Sequence, residues 1–213
     1  LGCKGYTEFK MALALDVKRE HVPVKKGDEI DEIVEESILA LQDTSRLLDR
    51  EILLKAAQAL HQSRSVYIYG VAASAIIGDY LHYKLLRLGK SAQLFSDMHR
   101  ASMNATTLTS DDLVVAISSS GSTRDLLHVV KLARKRGAQV LALSNTPLSP
   151  LTSLSDILLV AAKPEGPLSA GALNTKVGVM LLVELLAMTL ISLDDRYGDA
   201  SQQTASATLP LLL

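Results

Sequence analysis

The sequence predicts an α/β fold, a three-layer α/β/α sandwich built on a five-stranded parallel sheet. Three observations predict it. Short β-rich or apolar runs recur at 65–69, 91–95, 113–117, 139–143 and 157–161. Segments with apolar residues at helical spacing stand between most of them, as in chains of β-α-β units. Finally, 48% of the 213 residues are hydrophobic but only 4% are aromatic. A core of Leu, Val, Ile and Ala suits a parallel sheet covered on both faces.

Each element has its own signal. In 28–48 the apolar residues Ile30, Ile33, Val34, Ile38, Leu41 and Leu48 follow helical spacing. Acidic residues crowd its start, which suits the positive end of a helix. Asp49 is placed to cap a second helix over 50–63. These two helices precede every strand, so they should pack outside the sheet or form a dimer contact. Ser65-Val66-Tyr67-Ile68-Tyr69 is the first strand, followed by a helix over 75–88 that Gly89 stops. After the second strand, 97–107 reads as a helix. A turn at Ser110-Asp111-Asp112 leads to the third strand, 113–117. The helix after it runs to Arg136 and ends at Gly137. The fourth strand leads to a turn region over 145–150 and a helical turn over 151–154. Beyond the fifth strand, 163–169 is a loop with Pro164, Gly166 and Pro167, and 170–193 is a long helix. The tail, 195–213, is polar and should be partly disordered.

Composition excludes several function classes. The net charge is −1, so no global basic field draws nucleic acid to the bulk of the chain. Cys3 is the only cysteine, which rules out an intrachain disulfide. His21, His61, His82, His99 and His128 are scattered without metal-ligand spacing, so neither a metal nor a cofactor is expected. Nothing reads as a signal peptide. The apolar stretch 177–193 contains Glu184 and is short for a membrane span. It reads as a buried or subunit-interface helix in a cytoplasmic protein.

Chemistry concentrates where strands hand over to helices. Ser118-Ser119-Ser120-Gly121-Ser122-Thr123 carries five hydroxyls in six positions, between an apolar strand and a helix. A helix start exposes unpaired N–H groups and favours an anion. Ser and Thr there are also ordinary caps, and Ser122 with Asp125 has capping-box spacing. Five hydroxyls exceed what capping needs, and the loop is read as a phosphate grip. Gly70-Val71-Ala72-Ala73-Ser74-Ala75 keeps only the first glycine of a dinucleotide fingerprint. Neither a P-loop nor a GxSxG elbow is present. His99, after Asp97, is the histidine to place in the cleft, where imidazole can hydrogen-bond a sugar hydroxyl or move a proton. His61 and His128 should lie on helix surfaces. Glu165 and Lys176 flank the last loop and helix, where a charged residue is either a ligand contact or simply solvated.

These loops resemble a known family. Gly70 to Ser74, Tyr83-Lys84-Leu85-Leu86-Arg87-Leu88-Gly89, Asp97-Met98-His99 and Ala116 to Thr123 resemble the sugar isomerase (SIS) domain. More narrowly, they resemble its version in RpiR-type bacterial transcription regulators, as do Ser149-Pro150-Leu151 and Ser155-Asp156. The resemblance spans residues 29–194, after a linker over 18–28. Residues 1–17 resemble the end of that family's N-terminal helix-turn-helix domain. The resemblance implies a flavodoxin-like doubly wound sheet and a phosphosugar ligand. Ser118, Ser120, Ser122 and Thr123 would take the phosphate, with Ser74 beside the same cleft. His99 would lie near the sugar and can serve a ligand across a subunit boundary. Glu165 matches an acid the family often carries. The resemblance also implies a homodimer or homotetramer, with DNA bound through the helix-turn-helix domain.

One stretch departs from the pattern. Where the family often has a Ser-Arg pair, this chain has Asn174-Thr175-Lys176. Exchanging Arg for Lys loses a bidentate fork and points to an uncommon effector. Two functions follow. The first is the effector-binding domain of a sugar-phosphate-responsive transcription regulator. The second is a phosphosugar aldose-ketose isomerase with His99 or Glu165 as its base.

Overall fold

The computed structural model of the chain describes residues 29–163 and 171–211. Its strands are β1 (Ser65–Gly70), β2 (Ala92–Phe95), β3 (Asp112–Ile117), β4 (Gln139–Ser144) and β5 (Ile157–Val160). They form one sheet in the order β2-β1-β3-β4-β5, and every pairing is parallel. The helices are α1 (Glu29–Leu47), α2 (Arg50–Gln62), α3 (Ala73–Arg87), α4 (Met98–Ala105), α5 (Arg124–Lys135), α6 (Leu173–Leu193) and α7 (Asp195–Thr208). The predicted three-layer α/β fold is therefore the observed one, with strand limits within a residue or two of those expected.

The alternation of side chains along β3 explains the layers. Leu113, Val115 and Ile117 point to one face and meet α2, α3 and α6 through Leu60, Ile77, Leu81, Leu182 and Leu186. Val114 and Ala116 point to the other and meet α4 and α5 through Ala101, Ala105, Leu126 and Val130. A strand with side-chain period two and no polar face needs cover on both sides. Each fully buried Leu or Val contributes roughly 1.5–3 kcal/mol. A loop hydrogen bond adds about 0.5–1.5 kcal/mol, so the two apolar layers drive folding and the loops ride on them.

Caps set the helix starts, at Asp49 as the sequence predicts and at Asp97, which the sequence places as the first helical residue. Asp49 accepts from the N–H groups of Glu51 (2.8 Å) and Ile52 (3.3 Å). Asp97 accepts from those of His99 (2.8 Å) and Arg100 (3.0 Å). The Arg100 amide bond is the main reason the Asp97 carboxyl sits below its ordinary range. α6 is long and apolar enough to cross a membrane by length and composition. Here it is a core helix, burying Val179, Leu182, Val183, Leu186 and Leu190. α1 lies outside it and packs on α6.

Two expectations fail. The tail read as partly disordered forms α7, which Tyr197 anchors at 2% exposure. One aromatic in a polar segment leaves no periodic pattern, so its burial is invisible in the sequence. The same contact moves His61 off the surface: its Nδ1 lies 3.1 Å from the Tyr197 hydroxyl, and it is half-buried. The readings of residues 1–17 and 18–28, and of Glu165, lie outside the described residues.

Asp112 ties the start of β3 to the start of β1. Its buried carboxylate accepts from Arg64 Nη2 (3.0 Å to Oδ2), Thr109 N (2.9 Å) and Thr109 Oγ1 (3.0 Å). Arg64 is 60% exposed, so removing the acid strands no buried cation. The cost of Asp112→Ala is then the lost charge-assisted hydrogen bonds, about 2–3 kcal/mol. Urea denaturation should show a lower midpoint at an unchanged slope.

Candidate functional site

β1 and β3 are neighbours, yet their onward connections diverge, β1 to β2 on one side and β3 to β4 on the other. Such a switch point opens a crevice beyond the carboxyl ends of the two strands. A cavity of about 290 Å³ lies there. Ala72 lines it from the loop after β1, Ala73 and Ser74 from the first turn of α3, and Ser118, Ser119, Ser120 and Thr123 from the loop after β3. Gly171 and Lys176 close it from the approach to α6. α3 and α5 both begin at its rim, so two helices turn their positive dipole ends toward it; in α3 the Ser74 and Ala75 N–H groups already donate to the Val71 and Ala72 carbonyls.

The serine loop turns sharply at Gly121, where φ is +61°. A Cβ at that position would lie 2.1 Å from Ser149 Oγ and 2.6 Å from Ser149 Cβ, so only glycine fits. The turn is pinned on both sides. Gly121 N donates to Ser118 Oγ (3.1 Å), and Leu151 N donates to the Gly121 carbonyl (3.0 Å). The Ser119 carbonyl accepts from Asn145 N (3.2 Å) and Thr146 Oγ1 (3.0 Å). The capping box that the spacing of Ser122 and Asp125 would allow does not form. Thr123 is the N-cap of α5, and its side chain makes no capping hydrogen bond. Thr123 Oγ1 instead lies 3.5 Å from Ser118 Oγ, at the cavity wall. The loop's hydroxyls are therefore not consumed by capping.

The first loop is as tightly built. A Cβ on Gly70 would approach the Ser74 carbonyl oxygen to 2.9 Å. Ala72 holds φ at +51° without being glycine, a conformation that costs on the order of 1–3 kcal/mol and clusters at functional sites. This turn brings the buried Ser74 to the cavity.

Lys176 supplies the charge. It is only 9% exposed, and its Nζ donates to Ser119 Oγ at 2.7 Å. A cavity walled by hydroxyls, helix starts and this cation is suited to an anion. Among the described residues, no group of three or more His, Cys, Asp or Glu could hold a metal.

The structure brings together Ser74, Ser118, Ser120 and Thr123 of the predicted site residues. Ser122 is exposed, its hydroxyl donating to the Ser120 carbonyl (3.2 Å). His99 lines a second hollow of about 270 Å³ with Met98, Ser102, Asp125 and His128, which shares no lining residue with the serine cavity. Glu165 is outside the described residues. Sequence reasoning did not single out Ser119. In a run of three serines nothing in the sequence says which side chain faces the last helix. Lys176 was one of two flanking charges, and its nearness to the serine loop is a tertiary fact.

The family model for the SIS domain matches residues 59–189. The chain belongs to the SIS domain family. An uncharacterized HTH-type transcriptional regulator of Haemophilus influenzae is 26% identical over 231 residues, covering 100% of this chain and 77% of that protein. The Vibrio vulnificus NanR protein, solved in complex with ManNAc-6P, superposes with a TM-score of 0.91 at 44% identity. That match covers 99% of this chain and 78% of NanR. The sugar isomerase domain of an RpiR transcription factor from Sphaerobacter thermophilus shares the fold, with a TM-score of 0.76 at 22% identity over 84% of this chain and 99% of that one. This SIS domain is thus homologous to those of transcription regulators, and effector binding is the role that homology supports.

The geometry at Gly121 makes a direct prediction. Gly121→Ala must leave the left-handed region or displace Ser149, and the left-handed penalty alone is roughly 1–2 kcal/mol. The expected result is a lower urea midpoint together with loss of anion binding by calorimetry.

Proposed function

We propose that this SIS domain senses a sugar phosphate of the N-acetylhexosamine 6-phosphate class for a bacterial transcription regulator. The observation that carries the reading is the Lys176 ammonium, buried against Ser119 in the hydroxyl-lined cavity. A phosphate monoester brings about −1.5 to −2 charges and three acceptor oxygens. Ser118, Ser120 and Thr123, the α5 start and Ser74 would donate to those oxygens. The cavity is near the small end of the ~300–1,000 Å³ range of ligand pockets, which suits a single sugar ring. NanR, 44% identical, was solved with ManNAc-6P, and that supports the amino-sugar class. Lys176 is a point charge with three rotatable donors, not a planar fork. It can serve a phosphate and a neighbouring sugar oxygen together.

His99 lies in a separate hollow, so its contact with the sugar is proposed to come from a second copy in a homodimer or homotetramer. Ser122 faces solvent and is left out of the grip. The ligand would act by shifting the population of two arrangements, for which a preference of about 1–3 kcal/mol suffices. DNA would be bound through the helix-turn-helix domain whose end residues 1–17 resemble, in the cytoplasm.

An isomerase would need a base beside the reacting carbons. The likeness to an HTH-type transcriptional regulator and to NanR supports sensing over turnover. Incubation with aldose and ketose phosphates should give no interconversion at enzymatic rates. Turnover that is lost in His99→Ala would overturn the sensor reading.

Calorimetry tests the site. ManNAc-6P should bind, and unphosphorylated ManNAc should bind far more weakly. Lys176→Met should weaken binding about tenfold or more, since a charge-assisted hydrogen bond is worth about 1.5–3 kcal/mol. Ser120→Ala with Thr123→Ala should weaken it comparably while leaving the thermal midpoint of the unliganded protein in place. Unchanged affinity in both variants would refute the assignment.

A further inference from the structure

Asn174, Thr175 and Lys176, the first-turn residues of α6 that depart from the family pattern, each hold a different part of the protein. Lys176 Nζ donates to Ser119 Oγ in the cavity (2.7 Å). The Thr175 carbonyl accepts from Asn145 Nδ2 (3.0 Å), at the end of β4. Asn174 Nδ2 donates to Glu36 Oε2 on α1. A second path runs in parallel. Asn145 Nδ2 also donates to the Ala162 carbonyl (2.8 Å), and Ala162 N donates to Thr44 Oγ1 on α1 (3.0 Å). Thr44 is fully buried and its hydroxyl donates onward to the Ala40 carbonyl (2.7 Å).

α1 has no residue on the cavity and buries few of its own side chains. Its buried residues are Ala40 and Thr44 alone, and both lie where it crosses α6. There Gly178 permits close approach: a Cβ on it would lie 2.5 Å from Thr44 Oγ1 and 3.2 Å from Ala161 Cβ. The position of α1 is thus set by its packing along α6, which includes the first turns of α6, the same turns that carry Lys176.

We infer that α1 is the output element of the ligand site, driven through Asn174–Glu36 and Ala162–Thr44. The inference rests on the sugar-phosphate reading of the cavity. An anion in the cavity competes with Ser119 for the Lys176 ammonium. Lys176 is buried and lies in the first turn of α6, so the part of its displacement that its own side-chain torsions do not absorb passes to that turn. Asn174 and Gly178 move with it, and they are what α1 leans on. Tightly packed contacts tend to switch between discrete arrangements instead of deforming smoothly. α1 follows residues 1–28 directly in the chain, so its displacement is felt by the segment before it.

Amide hydrogen exchange with and without saturating ManNAc-6P tests this, with calorimetry on the same samples. In the native chain, exchange in residues 29–47 should change about fivefold or more on ligand binding. Glu36→Ala, a change on an exposed side chain, should bind ManNAc-6P within about threefold of the native chain yet reduce the α1 response. Thr44→Ala combined with it should abolish the response, and Glu36→Gln and Thr44→Ser, which retain an acceptor, should restore it. Binding with no change in α1, or a full response in the double variant, would overturn the inference while leaving the sugar-phosphate reading intact. If the double variant does not fold, Glu36→Ala alone decides the matter: a full response there overturns the Asn174–Glu36 route. A calorimetrically silent native chain would overturn both readings.

Discussion

Every residue of β3 is buried, and that burial extends past the strand into Ser118 and Ser119, each only 4% exposed. Much of the molecule follows from this. A strand hidden on both faces demands helices above and below it, which places α3 and α6 on one side and α5 on the other. A chain that turns polar while still buried must satisfy its own backbone, since an unpaired buried group costs several times the net worth of an average hydrogen bond. The Ser119 carbonyl accordingly collects donors from Ser144, Asn145 and Thr146. The loop that lines the cavity is held in place because its starting point is buried and its carbonyls must be satisfied there.

Rigidity and charge serve the same end. Loop hydroxyls alone recognise anions weakly in water, because solvent offers equal donors. Fixed in place at two helix starts and joined by a buried ammonium, they need little reorganisation to receive a phosphate. Preorganisation lowers the entropic cost of binding. The strained turn at Ala72 belongs to the same construction, since a relaxed turn would carry Ser74 away from the cavity.

The outer helices show a different logic. α1 exposes Ile30, Ile33, Val34 and Leu47 among the described residues, and it is held mainly through its crossing with α6. A helix with little buried surface moves at little cost, which is what a responsive element requires. α7 is the contrary case. Tyr197 fixes it through a hydrogen bond with His61 on α2, and Arg196 Nη2 lies 3.2 Å from the same imidazole Nδ1.

The periodic part of the protein was determined by its sequence. Strand and helix patterns, the cap at Asp49, the stops at Gly89 and Gly137 and the serine loop are all local signals, because each depends on residues within a turn or a strand length. What lacked local pattern was legible only in the folded chain. Tyr197 is one aromatic in a polar tail, and its partner His61 is far away in sequence. Ser119 differs from its neighbours only in where it points. The four hydroxyl residues Ser74, Ser118, Ser120 and Thr123 were readable from motif, whereas the sorting of Ser122 and His99 away from the cavity was not. Lys176 and Ser119 are 57 positions apart, and their hydrogen bond exists only because α6 packs across the ends of β3 and β4. Composition could supply a cation and a hydroxyl loop, but only the tertiary structure, by burying one against the other, decided that they form a single site.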